Sequence, residues 1–267
     1  MHFFRVIIPT YNRPDMLKNA IDSVRSQTFK DYVLVIPHDR SYKDEIVNDN
    51  GIIHVYHKSW DFNGGNRNRA LEAVKDGMYT IFMDDDDIFY NDTAFQDLHD
   101  FIVQHNYPDL VRLPYKKLYV KSGANSIKDY DGEDTLYKLA RSYRVAPWTK
   151  CVKSDLVVPF VEHTVFEDVV QHIAQIDNIT TFTDYPYPFI EWRIHDGQTR
   201  KNTSLIWHSS RWKIIGELID LDLKHDYAIR AKKFKIKHFV GALFDEYKEN
   251  PDCFSDIVIP DDLRKKK

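Results

Sequence analysis

The chain has 267 residues, 43% of them hydrophobic and 14% aromatic, and its 37 Lys+Arg against 41 Asp+Glu leave a formal net charge of −4. That is ample apolar material for a buried core, and with no apolar run near the ~18 residues of a membrane span, neither global disorder nor a spanning helix is expected. Two widely spaced cysteines rule against a disulfide framework or a structural zinc site, and the absence of GxGxxG and GxxxxGK[ST] disfavours glycine-loop dinucleotide and P-loop enzymes. The opening MHFFRVIIPTYNRP carries no small-residue cleavage site, so a cytoplasmic location is expected.

In chain order, FFRVII (3–8) predicts a first strand, ended by Pro9. Pro14 and Asp15 open a helix in which Leu17, Ala20, Ile21 and Val24 recur at helical spacing. YVLVI (32–36) and IIHVY (52–56) predict two further strands, and a second helix runs from about Asn68 through Ala70, Leu71, Ala73 and Val74 to Gly77. YTIFM (79–83) is a fourth strand that runs straight into Asp84, Asp85, Asp86 and Asp87. This alternation is the signature of an α/β fold with a mostly parallel sheet flanked by helices. Beyond it the pattern predicts a helix over 94–105, strands within 109–121, a polar loop from Ser122 to Asp134, helices near 135–143 and 166–176, and two short strands within 179–194. From Leu205 onward it is helical, with Trp212, Ile215 and Ile219 on one face, and the end is basic, Arg264 to Lys267. The expected organisation is a catalytic unit over 1–204 and a C-terminal helical extension over 205–267 packed on it.

Four consecutive carboxylates repel one another, so at the end of a buried strand they need solvent or a cation. Strand alternation would let Asp84 and Asp86 converge while Asp85 and Asp87 point away. Such a D-x-D suits a hard divalent ion, Mn²⁺ or Mg²⁺, and open α/β sheets bind ligands beyond the carboxyl ends of their strands. A solvated acidic turn is the alternative. Glu167 and Asp168 open the helical stretch FEDVVQHI, where a helix dipole favours negative charge; taken alone, ordinary first-turn capping is the better explanation of them. His195, in the loop EWRIHDGQT, could complete a metal site if the fold returns it to the aspartates.

The ordered set VIIPTYNRP, SQTF, HDRS, NRNRAL, FMDDDDIF, APWTK and FEDVV over residues 4–200 resembles the family 2 glycosyltransferases, whose fold is GT-A, a Rossmann-like nucleotide-binding architecture. The resemblance implies that Pro9 and Tyr11 line the nucleotide pocket, that Asp39 binds the base, and that Arg67 and Asn68 lie near the nucleotide sugar. It implies that Asp86 ligates the metal, that Asp84 holds ribose or metal, and that His195 matches a histidine that touches metal or diphosphate. Asp168 matches the catalytic base, with Glu167, Trp148 and Lys150 toward the acceptor side. Where the family usually has DDGS, this chain reads His38, Asp39, Arg40, Ser41, which bears on the base preference, normally uracil.

The implied activity is metal-assisted transfer of a sugar from a nucleotide-diphosphate donor, a UDP-sugar, to an acceptor hydroxyl with inversion. The rival classes are a metal-dependent nucleotidyltransferase or phosphohydrolase and a non-catalytic nucleotide-sugar binding module. A glycan or lipid-linked acceptor is expected. The basic end, with Lys232, Lys233, Lys235 and Lys237 upstream, could touch anionic lipid at the inner membrane face or follow nucleic acid, which would make a modified DNA base an acceptor; a solvated charged helix is the plain alternative.

Overall fold

The computed structural model describes residues 1–41, 43–59, 62–128, 135–142, 145–196 and 205–249. In chain order the first half contains β1 (Phe4–Ile7), α1 (Pro14–Arg25), β2 (Tyr32–His38), β3 (Glu45–Asp49), β4 (Ile52–Tyr56), α2 (Phe62–Ala73), β5 (Tyr79–Phe82), β6 (Ile88–Phe89) and α3 (Ala94–Gln104). The second half contains β7 (Leu110–Arg112), β8 (Tyr115–Tyr119), β9 (Asn125–Lys128), α4 (Leu136–Arg141), β10 (Lys150–Lys153), α5 (Glu167–Asp177), β11 (Phe182–Asp184), β12 (Ile190–Ile194), α6 (Leu205–Asp220) and α7 (Asp226–Glu249).

An eight-stranded sheet has the order β11-β7-β10-β5-β1-β2-β4-β3. β10 runs antiparallel to both its neighbours and β3 antiparallel to β4; the remaining pairs are parallel. The chain winds outward from β1 through β2 to β4 and then crosses back to β5 on the other side of β1. That reversal opens a crevice at the carboxyl ends of β1 and β5, the switch point where α/β sheets bind ligands. The register pairs Ile7 with Phe82, so the Pro9 turn and the aspartate run emerge side by side.

One face of the sheet buries Val6, Ile8, Leu34, Ile36 and Ile81 against α1 and α3, and the other buries Ile7, Val33, Val35 and Phe82 against α2. Strands covered on both faces read as continuous apolar runs, which is why they were legible. A four-stranded sheet, β6-β12-β8-β9, borders the crevice through Trp192 of β12; β6 begins one residue after the aspartates, and β12, paired with it, delivers His195 back to them.

Three expectations need correction. α2 begins at Phe62, six residues before Asn68, because Gly64 packs against the 160s segment: a Cβ there would sit inside van der Waals contact of the Val161 carbonyl and 3.0 Å from Glu167 Cγ. Tertiary packing thus overrides the poor helix propensity of Gly-Gly. Within the expected polar loop, Asn125–Lys128 forms β9, pairing antiparallel with β8; residues 129–134 lie outside the described residues. On α6 the inward face is Ile214, Ile215 and Leu218, packed with Phe239 and Leu243 of α7 and Val169, Val170 and Ile173 of α5, while Ile219 is 58% exposed.

Of the lysines read as a surface charge run, Lys235 is buried and donates to the Ser142 carbonyl, and Lys232 donates to the Leu221 carbonyl at 2.8 Å, closing the end of α6. The basic end, Arg264 to Lys267, lies outside the described residues.

Candidate active site

A cleft of about 620 Å³ opens at the switch point. Its walls come from the β1 turn (Pro9, Tyr11, Arg13), from α2 (Asn63, Arg67), from Asp84, Asp85 and Asp86, from residues 145–148, from residues 165–169, and from Trp192 of β12.

The aspartates do not continue strand alternation. β5 ends at Phe82, and the Asp87 N–H donates to the Asp84 carbonyl at 3.2 Å, closing a turn over 84–87. The turn brings Asp87 round to the same side as Asp84 and Asp86, with one ligand oxygen from each within 4.8 Å of the others. Asp85 alone diverges, accepting hydrogen bonds from Thr10 Oγ1 at 2.7 Å and Arg13 at 3.1 Å. Asp87 is buried; one oxygen accepts from the Arg193 N–H at 2.8 Å, and the other has no hydrogen-bond partner among the described residues. His195 Nε2 donates to Asp86 Oδ2 at 3.0 Å, which Arg13 also contacts at 3.0 Å.

Across the cleft, α5 starts at Glu167, after Phe166 in the left-handed region (φ 71°). Arg67 joins the two sides. Its guanidinium, 3% exposed, donates to Glu167 Oε1 and to Asp84 Oδ1, each at 2.8 Å. α5, which carries Asp168, is thereby tied to the aspartate turn.

Burial dominates the electrostatics. It pushes the Asp85 carboxyl up to about 6 against the pull of Thr10 and Arg13, and Glu167 up to about 7 despite Arg67. It raises Asp84, with Asp86 and Asp168 adding repulsion, and lifts Asp87 well above the carboxylate range. Burial thus works against the charged forms of these carboxylates, and added positive charge would favour them.

The residues singled out by sequence fall in different places. Pro9, Tyr11, Arg67, Asp84, Asp86, Trp148, Glu167 and Asp168 line the cleft, and His195 reaches it through Asp86. Asn68 does not line it: its amide donates to the Phe160 carbonyl at 2.9 Å and to Glu162 at 3.0 Å, and its oxygen accepts from the Phe160 N–H at 2.8 Å, clamping the segment that leads into α5. Asp39 is buried at the end of β2, its N–H donating to the Thr10 carbonyl at 3.1 Å, beneath the Tyr11 turn and outside the cleft lining. Glu167, expected toward the acceptor side, lines the cleft and is also the partner of Arg67. Lys150 is buried below the cleft floor, donating to the Val145 carbonyl at 2.7 Å with His172 3.2 Å away; burial lowers its ammonium to about 7.

Several contributors escaped sequence reading. Arg13 and Thr10 hold Asp85, and Asn66, receiving from His57 Nε2 at 2.8 Å, donates to the Pro37 carbonyl at 3.1 Å and so fixes the end of β2. Thr10 and Arg13 lay within VIIPTYNRP and Asn66 within NRNRAL, where buried polar residues are spent on specific partners.

The glycosyl transferase family 2 model matches residues 5–138. The chain is 33% identical over 90 residues to a GalNAc(5)-diNAcBac-PP-undecaprenol β-1,3-glucosyltransferase of Campylobacter jejuni, covering 31% of this chain and 29% of that protein. It is 35% identical over 116 residues to the poly(ribitol-phosphate) β-N-acetylglucosaminyltransferase TarP of Staphylococcus aureus, covering 38% and 33%. The matched stretch thus spans about a third or less of these relatives' own length. Residues 1–349 of S. aureus TarS, solved with UDP-GlcNAc, superpose with a TM-score of 0.66 at 18% identity, covering 97% of this chain and 77% of that one, and the shared architecture is the GT-A fold. With the family model matching about half of the chain, from β1 past the aspartate turn to α4, this chain is a member of glycosyl transferase family 2.

Proposed function

We propose that the protein transfers a sugar from a nucleotide-diphosphate donor, a UDP-sugar, to an acceptor hydroxyl with inversion, and that Asp168 is the general base. The observation that carries this reading is the Arg67 bridge, which sets the carboxylates of α5 against the aspartate turn within one cleft. The donor lies against Pro9, Tyr11 and the aspartate turn; the acceptor enters past Trp148 and Trp192. As the acceptor oxygen attacks the anomeric carbon, its proton passes to Asp168 and the bond to the diphosphate breaks on the opposite side. One displacement inverts the centre, and general-base help of this kind contributes about 10² to 10⁴ in rate.

The donor set fits a hard cation. Three carboxylates converge, and a buried Asp87 oxygen lacks a hydrogen-bond partner among the described residues. Asp84, Asp86 and Asp87 would hold Mn²⁺ or Mg²⁺, with His195 against Asp86, and such an ion supplies neutralisation of the departing diphosphate.

The acceptors named in the two relatives, a diphosphoundecaprenol-linked saccharide and poly(ribitol-phosphate), support a phosphate-linked glycan or polyol here. Among the described residues no helix is long and apolar enough to cross a membrane. The location we propose is cytoplasmic, with a lipid-linked acceptor met at the inner membrane face.

Incubation with UDP-sugars and Mn²⁺, with and without phosphate-linked acceptors, tests the reading. Acceptor-dependent release of intact UDP is expected. Cleavage between the phosphates would assign phosphoryl chemistry instead, and binding without turnover would leave a binding module.

A further inference from the structure

β8 and β12 run parallel with Trp192 opposite Lys117 and Ile194 opposite Tyr119, so Tyr115, Lys117 and Tyr119 share a face with Trp192. Trp192 and Trp148 line the cleft, and Tyr115 completes a cluster with them whose ring centroids lie 4.9 to 5.9 Å apart. From that cluster the face runs outward. The Lys117 ammonium stands 5.2 Å from the Trp192 ring centre and 4.8 Å from that of Tyr119, and Tyr119 is 41% exposed.

The neighbouring cations already have carboxylates. Arg13 meets Asp85 and Asp86, Arg67 meets Asp84 and Glu167, Lys116 on the opposite face meets Glu191, and Lys121 meets Asp196. Among the described residues Lys117 has two rings and no carboxylate as its partners. Aromatic faces steer an ammonium without neutralising it, and they also pack against the C–H faces of sugar rings. A point charge held between two rings, with no carboxylate partner among the described residues and next to a ring that lines the sugar-transfer cleft, suits a sugar or polyol that carries phosphate.

We infer that Trp192, Lys117 and Tyr119 form the acceptor subsite for a phosphate group adjacent to the unit being glycosylated. This rests on the transferase reading above. Lys117 contributes affinity and choice of acceptor, while the donor side is untouched by it.

The test uses the full chain saturated with UDP and Mn²⁺, so that the donor's phosphate position is filled. Calorimetry or ligand-observed NMR then compares N-acetylglucosamine 1-phosphate with N-acetylglucosamine for the wild type, Lys117→Met and Lys117→Arg. The phosphorylated probe is expected to bind about tenfold more tightly than the neutral one, a difference of about 1.4 kcal/mol. Lys117→Met should abolish that preference, Lys117→Arg keep it, and added salt weaken it, with UDP affinity unchanged throughout. Equal binding of the two probes, no saturable binding of the phosphorylated one, or a preference that survives Lys117→Met would overturn the assignment. Loss of UDP binding by the wild type itself, with the phosphate preference intact, would instead remove the transferase reading and leave the anion subsite standing.

Discussion

Replacing Arg67 by methionine keeps much of the side-chain volume and removes the cation between Glu167 and Asp84. Leaving a buried ion-pair partner uncompensated costs about 3–5 kcal/mol. Glu167, already pushed up to about 7 by burial, takes a proton near neutrality and relieves part of this, so the lower end, about 3 kcal/mol, is expected at pH 7.5. For a chain of this size that lowers Tm by about 6–12 °C. The loss must depend on pH. A carboxyl whose folded-state pKa is raised binds more protons folded than unfolded between the two values, from 4.5 to about 7 for Glu167, so stability falls as pH rises through that window. Without Arg67 both carboxyls rise further and the window widens. Denaturant unfolding at pH 5.5 and 7.5 should show the larger deficit at 7.5, and adding Glu167→Gln should recover about 1 kcal/mol there by removing a charge. An equal deficit at both pH values, or a second substitution that simply adds its own loss, would refute the bridge.

Gly64→Ala pushes a methyl into the Val161 carbonyl and toward Glu167; a loss of about 1–3 kcal/mol is expected by thermal melt, together with lower activity because α2 and α5 separate. Lys150 has an ammonium lowered by burial to about 7 from 10.5, so above pH 7 the unfolded chain binds the extra proton and stability rises with pH by up to about 1.4 kcal/mol per unit. Lys150→Met should lack that rise between pH 7 and 9, read from chemical denaturation. Burial acts to raise the Asp109 carboxyl, but Lys153 at 2.9 Å and the Thr180 and Thr181 donors outweigh it and hold it well below the carboxylate range. Its stabilisation is present above the ordinary carboxylate pKa and lost as pH falls toward the depressed one. Asp109→Asn should therefore cost about 1–3 kcal/mol at pH 7 and less at pH 2.5, where part of the stabilisation is already lost, measured as urea midpoints.

The sheet was legible because its central strands are apolar on both faces and end in abrupt polar turns; YTIFM followed by four aspartates marks both the strand and the site. Glu167 and Asp168 were found as a pair, but what Glu167 does was hidden, because its partner Arg67 lies 100 residues away and no local periodicity encodes such a distance. Alternation failed at Asp87 for a local reason: the strand stops at Phe82, and the backbone turns rather than extends. Asn68 sat inside a motif read for its ligand, whereas its side chain satisfies the Phe160 backbone. Propensity pointed the wrong way at Gly64, where a missing side chain is what lets α2 approach the segment before α5.

The most direct measurement is steady-state turnover of Asp168→Asn with a UDP-sugar, Mn²⁺ and a phosphate-linked acceptor, alongside its donor affinity. Turnover about 10² to 10⁴ lower, with unchanged UDP-sugar affinity and an unchanged fold, is expected if this carboxylate accepts the acceptor's proton. Turnover close to that of the wild type would contradict it.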